Sequence, residues 1–469
     1  MFRHTIMSKL IINQRQINHL SGPVSYRFLE PKQFDIYHRL GLDLPLILLF
    51  GDNHSGFDNM CSINDTEQPE EKDASLPDIA NTLPCNKSKG CYRIYDREFL
   101  SLFNELAEHS TYPIDFYLEL HNKYQDVYLQ RNEQHNNYYK SVLDLLNVKS
   151  IKCLYPQYRH LCEYPHLRWH YADIRSHRNG VISDLLQFDN NMYRYSYQDG
   201  HDLKINTENI FRNITVGRLG RLIDVLHNIR FPENGEQFDC KHVYDVLFDY
   251  IQEDETDKIR KQIRSQSIEP FNNVEYWKDI LIRCFIDHVY GKHSVHQTKH
   301  IPSSFSSVQI KPFIQKITDS HGIITFSEEE QDMLDALSFF IISIASPFME
   351  LYFILRIFKK PRPRDGVQPT LKNSSNPSLA IGYFGHNHCT RISYMLSTAM
   401  NLYKSKATEL PPTPTPIRCI HLEGRPFDID DEVFKHNVKR APAGLGVQTS
   451  YQEAHLGKKI KNRYRRYFR

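Results

Sequence analysis

Two short stretches at opposite ends of the chain nearly repeat each other, Gly51-Asp52-Asn53-His54 and Gly385-His386-Asn387-His388. Imidazoles grouped with carboxylates can ligate a transition metal or move protons near neutral pH. Two further stretches carry the same chemistry: Glu119-Leu120-His121, and Asp173-Ile174-Arg175-Ser176-His177. Taken singly, each reads as a hydrogen-bonded loop. Four together read as a shared site, because gathering ionisable groups is costly unless they pair, bind a metal or serve a reaction.

What must position these residues is an apolar run ahead of each. Leu44 to Phe50 precedes the first motif, and Ile114 to Leu118 runs into Glu119. His166 to Ala172 runs into Asp173, and Leu379 to Phe384 precedes the last motif. Runs of this length bounded by turn signals read as buried strands, and the motif glycines read as sharp bends where the strands give out. Helical spacing separates them, over Arg97 to His109, Tyr124 to Leu145, 331–358 and Thr390 to Tyr403. Strand–helix alternation with long crossovers predicts an α/β fold with a central, mainly parallel sheet flanked by helices. Ligands of open α/β sheets bind beyond the carboxyl ends of the strands. The four polar ends therefore share one edge.

The predicted organisation is an N-terminal lead-in (1–43), the first part of the α/β core (44–177), a large helical insertion (178–330), the second part of the core (331–425), and a C-terminal extension with a basic tail (426–469). The insertion rests on amphipathic spacing in Leu219 to Ile229, Val243 to Ile263 and Val274 to Val289, with no strand run between them. Residues 61–90 read as a surface loop, 411–416 as a stiff Pro-rich connector, and Ile417 to Leu422 as a last strand.

His54, Glu119 and His388 are the candidate catalytic residues, and the candidate ligands if a divalent metal (Zn, Mn or Fe) is bound. Asp52, Asp173, Arg175 and His386 are accessory candidates. Two chemistries stay open. With a metal, bound water loses a proton near neutral pH; without one, Glu119 orients or deprotonates water while a histidine acts as acid or base. Glu350 and Arg356 read either as a buried pair beside the site or as the solvated side of their helix. Cys389 reads as a nucleophile or as a small buried residue starting a helix. His293, His296 and His300 have ligand-like spacing, as do His160, Cys162, His166 and His170, but a chain with 24 histidines clusters some by chance.

A Gly-x-x-His after one strand, a glutamate ending the next and a second Gly-x-x-His near the C-terminus resembles the superfamily of erythromycin esterases, ChaN haem-binding proteins and TraB/TIKI proteins. The resemblance implies a parallel-type sheet flanked by helices. Members of that superfamily include hydrolases, metal-dependent proteases and a haem binder. Gly51 to His54 and Gly385 to His388 match its two histidine motifs, and Glu119 takes the place of its acidic residue. Asp52 stands where many relatives have glutamate, and the insertion departs from the smaller members, so substrate does not carry over. The helix Met349 to Arg356 also resembles uncharacterised proteins of large DNA viruses related to this superfamily.

Two other readings compete. Asp52-Asn53-His54 and Gly385-His386-Asn387-His388 also resemble the Asp-x-His and Gly-His-x-His motifs of calcineurin-like metallophosphoesterases, which set two metals for in-line attack on phosphate. The Gly-Asp-x-x-Asp and Gly-Asn-His-(Asp/Glu) strings of that family do not occur here. The other alternative is a catalytically inactive structural or interaction protein of a large DNA virus that kept the sheet.

Bulk properties narrow the classes. A chain of 469 residues exceeds what one simple core supports, and 40% apolar with 24% charged residues is ordinary for a globular protein. A net charge of +2 gives no global pull to nucleic acid or membrane. The tail Lys458 to Arg469 is the exception, with seven Lys or Arg in twelve residues, and reads as a weak nucleic-acid contact or a solvating tail. Nine cysteines, an odd number with no CxxC pair, predict reduced thiols and an intracellular, soluble protein in cytoplasm, virion or nucleus. Met1 to Ile17 lacks the apolar core of a signal peptide. Ala336 to Phe358 is long enough to span a bilayer, but it contains Pro347, Glu350 and Arg356. Mid-depth charges cost roughly 2.5–3.5 kcal/mol each, so a buried, kinked helix is predicted and no membrane span.

Overall fold

The computed structural model describes residues 10–12, 15–17, 19–32, 43–52, 99–119, 142–143, 145–147, 149, 153, 162, 164, 166–174, 180–199, 202–211, 216–230, 239–290, 307–359, 376–409, 419–421 and 427–440. The apolar runs become strands of one six-stranded sheet. In chain order these are β1 (Ser25–Pro31), β2 (Leu46–Asp52), β3 (Ile114–Leu118), β4 (Leu167–Tyr171), β5 (Leu379–Gly385) and β6 (Tyr403–Glu409). Their spatial order is β6-β1-β2-β5-β3-β4. The pairs β2–β5, β5–β3 and β3–β4 are parallel, while β1 lies antiparallel between β2 and β6. Every residue of β2 and of β5 is buried, as expected of central parallel strands covered on both faces. The chain is an α/β protein with a mainly parallel sheet flanked by helices.

Two strands depart from the expected organisation. β1 lies inside the stretch read as a lead-in, and β6 begins at Tyr403, where a helix was expected to end. Neither presents an apolar run. β6 is an edge strand with Lys404 and Lys406 exposed, a composition that protects an open edge.

Strand alternation divides the core between the two faces. Leu48, Phe50, Phe116, Leu118, Ile381 and Tyr383 face the helix α1 (Phe99–His109), where the Phe99 ring stacks on Tyr383 at 4.4 Å. Ile47, Leu49, Tyr117, Ala380 and Phe384 face the opposite core, which merges with the insertion.

The insertion is mostly helical, including α2 (Val181–Arg194) and α3 (Lys258–Arg264). Contrary to expectation it also contains a three-stranded antiparallel sheet of Ser196–Asp199, Asp202–Asn206 and Ile323–Phe326. The single helix expected over Val243 to Ile263 is two helices, broken where the Asp257 side chain accepts from the N–H groups of Ile259 and Arg260 and starts α3.

The long apolar segment is α4 (Glu328–Ala345) followed by α5 (Pro347–Phe358). A capping box between Ser327 and Glu330 opens α4, and Pro347 at the first position of α5 sets the break. The segment passes a membrane test by length and composition, but 89% of its most apolar window is buried inside the fold. It is a core helix pair. Phe353 of α5 packs edge-on against both Tyr117 and Phe384, at 4.8 and 5.1 Å. After β5 the chain enters α6 (His386–Tyr394) directly.

Two smaller expectations are corrected. The strand Cys419–His421 pairs with His19–Ser21 and not with the main sheet. Cys153 and Cys162 form a disulfide, whereas Cys240, Cys284 and Cys389 are buried thiols. The expectation of reduced thiols throughout does not hold for that pair, and the intracellular placement loses its cysteine argument. The helix expected over Tyr124 to Leu145, the loop 61–90 and the basic tail lie wholly or mainly outside the described residues.

Candidate functional site

The site forms where β3 and β5 end. Because α6 starts immediately after Gly385, His386 and His388 both fall in its first turn, two residues apart and therefore on different sides. His388 turns toward α5. Its Nδ1 lies 2.8 Å from Oε1 of Glu350, and its Nε2 lies 3.5 Å from Oε1 of Glu119. The other Glu119 oxygen accepts the Gly385 backbone N–H at 2.7 Å, which orients the carboxylate.

Arg391, one turn after His388, clamps the assembly from behind. Its Nε donates to Glu350 Oε1 at 2.6 Å, and its Nη2 donates to Ser346 Oγ at 2.7 Å. The Glu350 side chain is fully buried, while the His388 side chain keeps 14% exposure. Burial pushes the Glu350 carboxyl up, but the neighbouring Arg391 and His388 outweigh it and hold the group below its ordinary 4.5. An ionised carboxylate only accepts, so the proton of the His388 ring is assigned to Nδ1, facing Glu350. Arg391 Nη2 also stands 3.2 Å from that nitrogen, but the shorter contact to a carboxylate decides the tautomer. The Nε2 atom then faces Glu119. The second Glu350 oxygen is buried with no hydrogen bond among the described residues.

His386 turns the other way, toward β1, where its Nδ1 lies 2.7 Å from Ser25 Oγ. Burial, with Arg27 nearby, pushes this imidazole down to about 4, so it is neutral at pH 7. Arg27 donates to Thr390 Oγ1 at 2.9 Å on the same flank. Gly51 makes the approach feasible, since a Cβ there would stand 2.2 Å from Ser25 Oγ and 3.0 Å from the His386 Cα. Neither motif glycine has a positive φ. At Gly51 the requirement is space and not a sharp bend.

Of the residues singled out in the sequence, the structure brings together Glu119, His388 and Glu350, with His386 on the adjoining flank. His54 and Arg175 lie outside the described residues, as do His121, His177, His293, His296 and His300. Asp52 is buried but turns to the α1 face, where Tyr383 donates to it at 2.9 Å. Asp173 is buried just past β4, within electrostatic reach of Lys258. Arg356 does not pair with Glu350; it sits at the other end of α5, its Nη2 3.0 Å from His170 Nδ1. Cys389 is fully buried, and burial raises its thiol well above the usual range, so it is an inert core residue. Cys162 is held in the disulfide and is no metal ligand.

The sequence reading missed Arg391, Ser346, Ser25 and Arg27. Only Arg391 left a signal, a basic residue three positions after His388 on a helical segment.

Two ligands held 2.0–2.2 Å from one tetrahedral ion stand about 3.4 Å apart, so the 3.5 Å between His388 Nε2 and Glu119 Oε1 suits two corners of such a site. Glu350 would be the carboxylate that steadies the ligand imidazole from behind. Among the described residues no group of three or more His, Cys, Asp or Glu is gathered closely enough to hold an ion. No model of a known family matches the chain, and neither a curated protein nor a solved structure matches it.

Proposed function

We propose that the chain is a hydrolase, assisted by one divalent metal (Zn, Mn or Fe), with Glu119 and His388 at its centre. The observation carrying this reading is the buried relay Arg391–Glu350–His388–Glu119. Its imidazole, partly exposed as a whole, has one nitrogen tied to a carboxylate and the other aimed at a second carboxylate 3.5 Å away. Glu350 keeps the proton on Nδ1, and Arg391 keeps Glu350 ionised and in place. Gly385 N–H fixes one Glu119 oxygen and leaves the other facing His388. When bound, a metal at this pair supplies an acidified water molecule. The resemblance to the erythromycin esterase, ChaN and TraB/TIKI superfamily offers His54 as a third donor.

A metal-free variant uses the same atoms, with Glu119 accepting a proton from water and His388 acting as acid or base. The phosphoesterase alternative needs Asp52 beside His388, and the α1-facing position of Asp52 weighs against it.

Metal analysis of the purified full chain, with Glu119→Gln and His388→Ala beside it, tests the reading. The expected result is about one divalent ion per chain, lost in both variants, together with ester or peptide hydrolysis that falls with it. Metal-free protein that hydrolyses esters through the same two residues supports the acid–base variant. Two ions with phosphatase activity would favour the phosphoesterase, and neither metal nor turnover would leave a structural protein.

A further inference from the structure

A second polar cluster occupies the opposite end of α5. Asp115 and Tyr117 of β3 pair across the ladder with Arg168 and His170 of β4. Arg168 donates to Asp115 Oδ1, His170 Nε2 lies 3.2 Å from the same oxygen, and the Tyr117 ring stacks on the imidazole at 4.6 Å. Arg356 closes the chain through its 3.0 Å contact with His170 Nδ1. A guanidinium only donates, so Nδ1 is the acceptor and the ring proton sits on Nε2, facing Asp115. Burial, together with the two arginines, outweighs Asp115 and pushes His170 down, so the ring is neutral at pH 7.

That leaves Arg356 in an unusual position. No carboxylate among the described residues lies within 4.0 Å of it, and one of its five donors is engaged by an imidazole. Lys258, the first residue of α3, also has no ion pair among the described residues. The two helices pack together, and both cations are half-buried. Burial and the proximity of Arg356 push the Lys258 ammonium down, with Asp173 opposing. Two half-buried like charges without a bonded carboxylate repel each other, and an anion between them removes that cost.

We propose that Arg356 and Lys258 form a binding site for a phosphate-class oxyanion, on the α5 end remote from the Glu119–His388 pair. The free guanidinium donors offer a planar fork to two oxygens, and the ammonium adds a point charge. A phosphate oxyanion supplies the bonded counter-charge that neither cation has among the described residues. The site is independent of the hydrolase reading.

Calorimetric titration of the full chain with inorganic phosphate, at constant ionic strength balanced with chloride, tests it. Saturable binding of one phosphate per chain is expected, weakened about tenfold or more by Arg356→Gln and by Lys258→Gln, and kept within about threefold by Lys258→Arg. Competition by phenyl phosphate marks a phosphomonoester as the ligand, and its failure marks the free ion; both support the site. Absence of saturable binding at millimolar phosphate, or equal affinity in wild type and both glutamine variants, overturns the proposal. If Arg356→Gln fails to fold, Lys258→Gln at the half-buried start of α3 decides the question alone.

Discussion

Replacing Glu350 with alanine tests the buried relay most directly. The Glu350 side chain is fully buried, and one of its oxygens receives both Arg391 Nε at 2.6 Å and His388 Nδ1 at 2.8 Å. Removing it strands the Arg391 side chain, which is only 8% exposed and then keeps Ser346 and the imidazole as its remaining neighbours. Losing one partner of a buried ion pair costs about 3–5 kcal/mol, because the other charge stays desolvated and unpaired. Glu350→Ala should therefore lose about that much stability at pH 7 in urea denaturation followed by circular dichroism. Glu350→Ala/Arg391→Ala should cost less than the sum of the single changes, by about 1–3 kcal/mol.

The pH dependence adds a check of sign. The Glu350 carboxyl is held below 4.5 in the fold, so its contribution is present above the unfolded value and lost as pH falls through the folded one. The gap between wild type and Glu350→Ala should narrow as pH falls below about 4.5. A loss under about 1 kcal/mol at pH 7 would refute the reasoning, as would a gap that survives unchanged in acid.

Two further predictions concern the frame around the site. Asp189 of α2 is buried and accepts from Ser338 of α4; burial raises its carboxyl from 3.8 to about 6, with that hydrogen bond opposing. A raised carboxyl destabilises the fold as pH climbs from about 4 through 6, so Asp189→Asn should stabilise by up to about 3 kcal/mol above pH 7 and by nothing near pH 3, read by thermal denaturation at both values. Gly51→Ala puts a methyl against Ser25 Oγ and the His386 backbone and should cost about 1–3 kcal/mol in the same assay; Gly51→Ala/Ser25→Ala should recover part of that, and no recovery would mean the strain lies elsewhere.

Much of the sheet was legible because buried parallel strands announce themselves as apolar runs. β2, β3, β4 and β5 each match the sequence reading to within two residues at either end. β1 and β6 were not legible, since their polar-rich sequences become strands only by pairing with β2 and with each other. The three-stranded sheet in the insertion escaped for the same reason: Ser196–Asp199 and Asp202–Asn206 have no apolar run, and Ile323–Phe326 joins them from more than a hundred residues away.

By itself, then, the sequence determined the α/β class, the central strands, the burial of the α4–α5 segment and the presence of carboxylate and imidazole at the strand ends. Those follow from local periodicity, which any short window of chain displays. Tertiary structure alone decided which of those groups meet. Side chains alternate across a strand, so a position at its end can face either layer: Glu119 turns to His388 of α6, and Asp52 to Tyr383 on the α1 face. The partners of His388 came from how α5 and α6 pack, which set Glu350 and Ser346 against Arg391 and sent Arg356 to the far end of the helix. Such contacts join residues about forty positions or more apart, and no local pattern encodes them.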